Sequence, residues 1–391
     1  MNTASTAPNK GKIVTICIAH LFNDWYMNYV QTMLPFLVAA GLSVSKGAFL
    51  VSAFTVTSSL LQPVSGYLVD KKNQRWMVFV GTLWMAVLLS LIGVLRSFPL
   101  LLVTVVLAGL GTAAFHPQAS AMISSVSGDR RGLSQAIFSA SGNVGWALTP
   151  LMVVPFVQAY GIESTLWFAI PGVLVAGLLW FNAPRNVSRA TPLRRDAHPI
   201  PASVRLELSI VVLVVAFRSL AYFGLISFLP LYLQQRNISL LAGSRLLFVM
   251  LLSGAVGGLI CGYVSDLIGR KIVIVISLLA ASPLLYLFLH ASGPASYILL
   301  ALAGACLLAS FSVTVVTAQE ILSRNAATAS GLMLGFSIGI GGLGVGLVGL
   351  IAEHSGITYV IHLLTWLPLV AGVLALGIKG RKIPKALYPG G

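Results

Sequence analysis

The chain is poor in charge. Of 391 residues only 24 are Lys or Arg and 9 are Asp or Glu, 8% in all, where a soluble domain carries about 25%. So little polar material cannot coat a water-soluble body of this length. Cysteine is equally scarce: Cys17, Cys261 and Cys306 each sit alone in an apolar run, which argues against a disulfide framework or a metal site and for small buried hydrophobes. There is no Gly-x-x-x-x-Gly-Lys-Ser/Thr loop, so ATP hydrolysis is not the energy source within this chain. There is also no His-Glu-x-x-His, no pair of intramembrane aspartates and no cysteine cluster, which disfavours an intramembrane enzyme. The apolar stretches are continuous rather than alternating, and this excludes a transmembrane β-barrel.

What the chain does have is hydrophobic sequence, 57% of the residues with a mean hydropathy of +0.94. A helical span needs about 20 apolar residues. Six such runs fall between residues 13 and 183 and six between 207 and 378. The expected fold class is therefore an all-α polytopic membrane protein, with twelve transmembrane helices in two pseudo-symmetric six-helix bundles. The first run follows Lys10 and Lys12 as a signal peptide would. It is too long for one and contains His20, Asn23 and Asp24, so it is read as the first span.

A net charge of +15 would suggest nucleic acid in a soluble protein, but its placement gives it another meaning. Lys10, Lys12, Arg75, Arg130, Arg131, Arg270 and the arginines between 185 and 205 all fall on the side of the termini. Only Lys46, Arg96, Arg236 and Arg245 fall on the other, and Arg218 lies within a span. This is the positive-inside asymmetry, so both termini are expected in the cytoplasm. No basic patch with interleaved aromatics remains to bind nucleic acid.

The stretch from Pro184 to Arg205, rich in Pro and Arg, reads as a cytoplasmic linker. The expected domains are residues 1–183, a linker at 184–206, and residues 207–391. The halves look like copies. Gly66-Tyr-Leu-Val-Asp70 recurs as Gly262-Tyr-Val-Ser-Asp266, Pro35 recurs as Pro230, and Gly132 is answered by Gly331, with offsets between 195 and 199. A duplicated six-helix unit places its binding site near the bilayer midplane, where the halves meet.

The doubled Gly-x-x-x-Asp motif, each copy followed by a basic cluster, resembles the signature of the major facilitator superfamily over the whole chain. Within it, the segments Ala19 to Asp24, Ser59 to Tyr67, Gly109 to Ser120 and Ala318 to Glu320 are similar to the fosmidomycin resistance protein family of drug exporters. The resemblance implies alternating access, with Gly66, Asp70, Arg75 and Arg131 in one half and Gly262, Asp266 and Arg270 in the other acting as gates. Glu320, near the end of the tenth span, is either solvated surface or part of the same inner gate.

Asp24 is the one acid deep in a span, where a charged residue costs about 2.5–3.5 kcal/mol on insertion scales. At 100° per residue His20, Asp24, Asn28 and Gln31 share an arc of about 80°, with Asn23 beside it. Such a stripe cannot face lipid. Taking a carboxylate out of water favours its protonated form, so Asp24, with His20, can load and release a proton as water access changes; the alternative is a permanent structural anchor. Arg218 stands at the matching depth in the seventh span, aligned with Asn23, and offers a planar fork suited to an oxyanion. It either binds an anionic substrate, with Tyr222 one turn on, or neutralises Asp24. Thr112, His116 and Ser120 recur on one face of the fourth span, so His116 is a cavity, proton or packing residue. Gln62 precedes a helix-kinking Pro63, and satisfying a freed carbonyl competes with lining the cavity. Gly142, Gly145 and the run from Gly335 to Gly346 supply small surfaces for helix sliding.

The expected function is proton-coupled export of a small anionic or amphipathic compound from the cytoplasm across the inner membrane. Uptake by symport is the alternative. The substrate-lining candidates are Arg218, Asn23, Asn28, Gln31, His116, Tyr222 and Gln62. No cofactor and no metal are expected, and the partners are protons, a small molecule and the lipid bilayer around a monomer.

Overall fold

The computed structural model describes residues 7–71, 74–128, 130–184, 201–322 and 326–380, and these form helices and turns with no strand among them. In the first half the helices are α1 (Lys10–Met27), α2 (Tyr29–Ala39), α3 (Val44–Leu60), α4 (Gln62–Lys71), α5 (Trp76–Ser90), α6 (Phe98–Val126), α7 (Arg131–Tyr160) and α8 (Ala169–Asn182). In the second they are α9 (Ala202–Gln235), α10 (Leu240–Ile268), α11 (Arg270–His290), α12 (Pro294–Ile321), α13 (Ala326–Ser355) and α14 (Ile357–Ala375). Among the described residues eleven helices are long and apolar enough to cross a membrane. The first span is the twelfth, divided at Asn28 into α1 of 18 residues and α2 of 11. Only helices suit a chain of this composition, because each backbone N–H and C=O in lipid must be satisfied within its own segment.

Two breaks carry the pattern seen in the sequence. The second span is interrupted at Leu61, between α3 and α4, where Pro63 cannot donate to the helical ladder. Gln62 Nε2 donates to the Ser58 carbonyl at 3.0 Å, so its amide nitrogen is spent on the break. α10 and α11 are joined by Gly269 alone, at φ 102°, a left-handed conformation that a side chain would oppose. Of the expected linker, residues 185–200 lie outside the described residues.

Contacts group the chain into two units. The first holds Met1–Leu193, Ile226–Phe248 and Gly342–Ile357; the second holds Arg194–Leu225, Val249–Gly341 and Thr358–Gly391. By contact, the later parts of α9 and α13 thus belong to the first unit. Within that unit α1 packs on α6, α7 and α8. α1 meets α7 closely enough that a methyl at Gly145 would overlap the Leu21 carbonyl, the small-residue contact expected where helices associate in lipid. The later part of α13 lies on α3 in the same manner: a methyl at Gly342 would stand 2.5 Å from Thr55 Cβ, and one at Gly346 would stand 3.1 Å from Ser52 Cβ. Ser45 N–H, in the first turn of α3, donates to Glu353 at 2.9 Å, an acid placed where the helix dipole favours it.

The second unit has its own apolar core, in which Val211, Val214, Ile274, Leu278, Val313 and Ala371 are buried. α11 packs along α12.

Candidate functional site

In the first unit, the polar stripe of α1 meets α6 and α7. Asp24 Oδ1 lies 3.0 Å from His116 Nε2 on α6, and Asp24 Oδ2 lies 3.4 Å from His20 Nε2 one turn earlier on α1. Each histidine turns its other ring nitrogen to the backbone: His20 Nδ1 is 2.7 Å from the Phe138 carbonyl of α7, and His116 Nδ1 is 3.2 Å from the Thr112 carbonyl. The His20 ring stacks on Phe138 with centroids 3.8 Å apart and planes 10° from parallel. One carboxylate oxygen of Asp24 and one ring nitrogen of each histidine all lie within 4.8 Å of one another. The histidine expected near substrate is thus brought onto the aspartate expected to carry the proton.

Gly142 makes this possible. A methyl there would overlap Asp24 Oδ2 and stand 2.5 Å from His20 Cε1. Gly142→Ala should cost about 1–3 kcal/mol as an overpacked interior does, and should lose transport, because the carboxylate must move. A thermal melt in detergent together with a transport assay checks both, and a fully active Ala variant would show that the cluster tolerates displacement.

Further along the stripe are amides with unfilled capacity. Asn28 donates its Nδ2 to the Trp146 carbonyl at 2.9 Å, while its Oδ1 has no partner. Asn23 and Gln31 are buried with neither amide atom hydrogen-bonded. Buried amides without partners cost free energy unless something else meets them.

In the second unit Arg218 is among the largest fully buried side chains. Its Nη2 donates to Ser337 Oγ at 2.8 Å and to Ser219 Oγ at 3.2 Å, and those two hydroxyls are 2.6 Å apart. The guanidinium carbon stands 4.8 Å from the Phe311 ring centroid, a cation–π contact. Nη1 is buried with no partner. Among the described residues the groups that meet this cation are hydroxyls and a ring, none of them anionic. Tyr222 is half-buried on the same helix and meets Phe223 edge-on.

Sequence reasoning passed over Ser219, Phe311 and Ser337, although the repeat contained the signal. With the offset of 195 that pairs Asn23 with Arg218, Asp24 pairs with Ser219, His116 with Phe311 and Gly142 with Ser337. Both clusters are therefore built at the same three places of the duplicated unit, on spans one, four and five of the first half and seven, ten and eleven of the second.

The expected gates are only partly visible. The side chains of Asp70 and Arg131 lie outside the described residues. Gly66 faces Pro117 of α6, and Arg75 Nη2 donates to the Trp180 carbonyl at 2.5 Å. In the second half the repeat is complete. Asp266 pairs with Arg270 one turn on, Arg270 also reaches Ser265 at 2.6 Å and Glu320 at 3.3 Å, and a methyl at Gly262 would stand 3.4 Å from Ser312 Oγ of α12. Glu320 is thus joined to the repeated motif through Arg270.

A chain with twelve helical spans, an internal repeat and an ionisable cluster at the matching place in each repeat has the build of a secondary transporter. It belongs to the Major Facilitator Superfamily, whose model matches residues 16–333. It is 32% identical to the Fosmidomycin resistance protein of Escherichia coli (strain K12), covering 97% of this chain and 96% of that one. It is 31% identical to an uncharacterised MFS-type transporter, YfnC, of Bacillus subtilis (strain 168), covering 93% and 91%. Its fold is similar to the crystal structure of a bacterial homologue of the human lysosomal transporter Spinster in an inward-facing and occupied conformation. That likeness has a TM-score of 0.81 at 17% identity, over 95% of this chain and 97% of that one. The protein is a multi-pass membrane transporter.

Proposed function

We propose that the protein is a proton-coupled exporter of a small anionic or amphipathic compound, fosmidomycin-like in character, working by alternating access in the inner membrane with both termini in the cytoplasm. The observation that carries this reading is the complementary pair of unfilled clusters: an acid facing two histidines in one unit, and a buried guanidinium with a free Nη1 in the other. A carboxylate among imidazoles can take and release a proton as water reaches it. A buried cation whose described partners are hydroxyls and a ring favours an anion as its remaining partner. Each ligand biases the same conformational equilibrium, and such linkage is enough to couple them. Similarity over nearly the full length to the Fosmidomycin resistance protein supports export.

The test pairs two assays. Cells lacking the protein should become more susceptible to some members of a panel of anionic drugs, fosmidomycin first. Inverted vesicles should take up those compounds when a pH gradient is imposed, with the lumen acid. Uptake in the opposite orientation would identify a symporter using the same groups, and transport indifferent to the gradient would remove proton coupling altogether.

The second-half latch joining Asp266, Arg270 and Glu320 is assigned to the inner gate, since charged contacts at helix ends are ones that rocking of the halves can break. Glu320→Gln should shift the labelling of cysteines placed at the cytoplasmic mouth by several-fold, while substrate affinity stays within about threefold, as for an exposed ion pair of about 0.2–1 kcal/mol. Labelling unchanged on both faces, with unchanged transport, would remove the latch from the cycle.

A further inference from the structure

The hydrogen-bond inventory of the aspartate cluster limits where a proton can sit. A backbone carbonyl only accepts, so the contacts of His20 Nδ1 with Phe138 and of His116 Nδ1 with Thr112 require a hydrogen on each Nδ1. A neutral imidazole has only one such hydrogen. Both Nε2 atoms are then bare lone pairs, and both face a carboxylate that can only accept. With no proton added, the cluster sets three acceptors against one another and carries net charge −1. One added proton makes it neutral, the state least costly to bury; a second would leave a net cation in a place where none of the three side chains is more than 20% exposed.

The geometry also separates the two contacts. The Asp24–His116 distance of 3.0 Å is that of a hydrogen bond, whereas the Asp24–His20 distance of 3.4 Å is longer than one. Asp24 and His116 keep 15% and 20% of their side-chain surface open, against 7% for His20, so water reaches the first pair more readily. His20 is also clamped, stacked on Phe138 and held by the shorter of the two carbonyl bonds. Among the described residues, α7 brings the Phe138 carbonyl and Gly142 to the cluster, and α6 brings Phe115 and the Thr112 carbonyl.

Resting on the reading of proton-coupled transport, we propose that the cluster carries a single exchangeable proton, seated between Asp24 and His116 across α1 and α6, and that His20 is a positioning residue whose Nε2 stays unprotonated. The loading step takes one proton from hydronium: an O–H bond breaks there, leaving water, and an O–H bond at Asp24 Oδ1 or an N–H bond at His116 Nε2 forms in the contact. Its release returns the cluster to a carboxylate and two neutral rings.

The experiment uses the full-length protein labelled with [15N]histidine in lipid, with His20→Gln and His116→Gln assigning the two rings. On acidification, the His116 Nε2 resonance should move to that of a protonated or strongly hydrogen-bonded nitrogen, while His20 keeps the signature of a neutral ring with hydrogen on Nδ1. A shift at His20, at both rings or at neither overturns the proposal. In vesicles with the potential clamped by valinomycin and equal potassium, a one-unit pH gradient should sustain about a tenfold substrate gradient, the value for one proton. About a hundredfold means two protons and overturns the stoichiometry while leaving proton coupling intact. No gradient at all in the wild type is the failure of the functional reading itself. His116→Gln should change the half-maximal pH of transport by about one unit or more, and His20→Gln by only a few tenths. Transport abolished by a chelator and restored by zinc would show that a metal ion, rather than a proton, fills the contact.

Discussion

Asp24→Asn is expected to reduce substrate accumulation in energised vesicles from about tenfold per unit of pH gradient to no accumulation at all, since one proton per substrate supplies about 1.36 kcal/mol per unit. The amide is isosteric with the acid, and its Nδ2 can donate to the bare Nε2 of His116 as a carboxylic acid would, so insertion and fold should be kept. Downhill exchange and substrate binding should survive, because the variant mimics a cluster permanently loaded. The measurement is the ratio of internal to external substrate at steady state under an imposed gradient. A variant that still concentrates substrate tenfold would show that the proton is carried elsewhere.

Arg218 should set the charge preference of the substrate. In Arg218→Lys the cation remains, but one ammonium cannot hold Ser219 and Ser337 and also present a second in-plane donor. Losing a hydrogen bond to a charged group amounts to about 1.5–3 kcal/mol, so affinity for a carboxylate or phosphonate should fall by roughly 10- to 100-fold. Arg218→Gln removes the charge, and truncating one partner of a buried charge pair costs about 2–5 kcal/mol, so its binding should be weaker still. The same change removes a buried cation whose described partners are all uncharged, so the unliganded protein should melt no earlier than the wild type. Binding in detergent and a thermal melt, with and without substrate, read both effects. Normal affinity in the Gln variant would leave Arg218 as a structural group of the α9, α12 and α13 junction.

Much of the site was legible one helix at a time. Asp24 stands out as an acid where lipid would make it costly, and Arg218 as its counterpart at the matching place of the repeat; each is the centre of a buried polar cluster. The break at Pro63 could be read because a missing N–H acts within one helix; the carbonyl it frees is that of Ser59, whereas Gln62 Nε2 donates to the Ser58 carbonyl. His116 was legible as a polar residue on a polar face. That it meets Asp24, 92 residues away, was not.

The sequence by itself determined the number of spans, the repeated motifs along the chain and the place of each ionisable group within its span. These follow from run length, spacing and position along a helix, all local properties. Tertiary structure alone decided that Asp24 is shared with two histidines, that Gly142 leaves room for them, and that Arg218 rests on Ser219, Ser337 and Phe311 with one donor unfilled. The physical reason lies in the solvent. A helix in lipid is apolar on nearly every face, so the pattern that tells a soluble helix which way to turn is largely missing. The rotation that brings one polar face onto another is set instead by close packing at small residues, and only the packed helices display it.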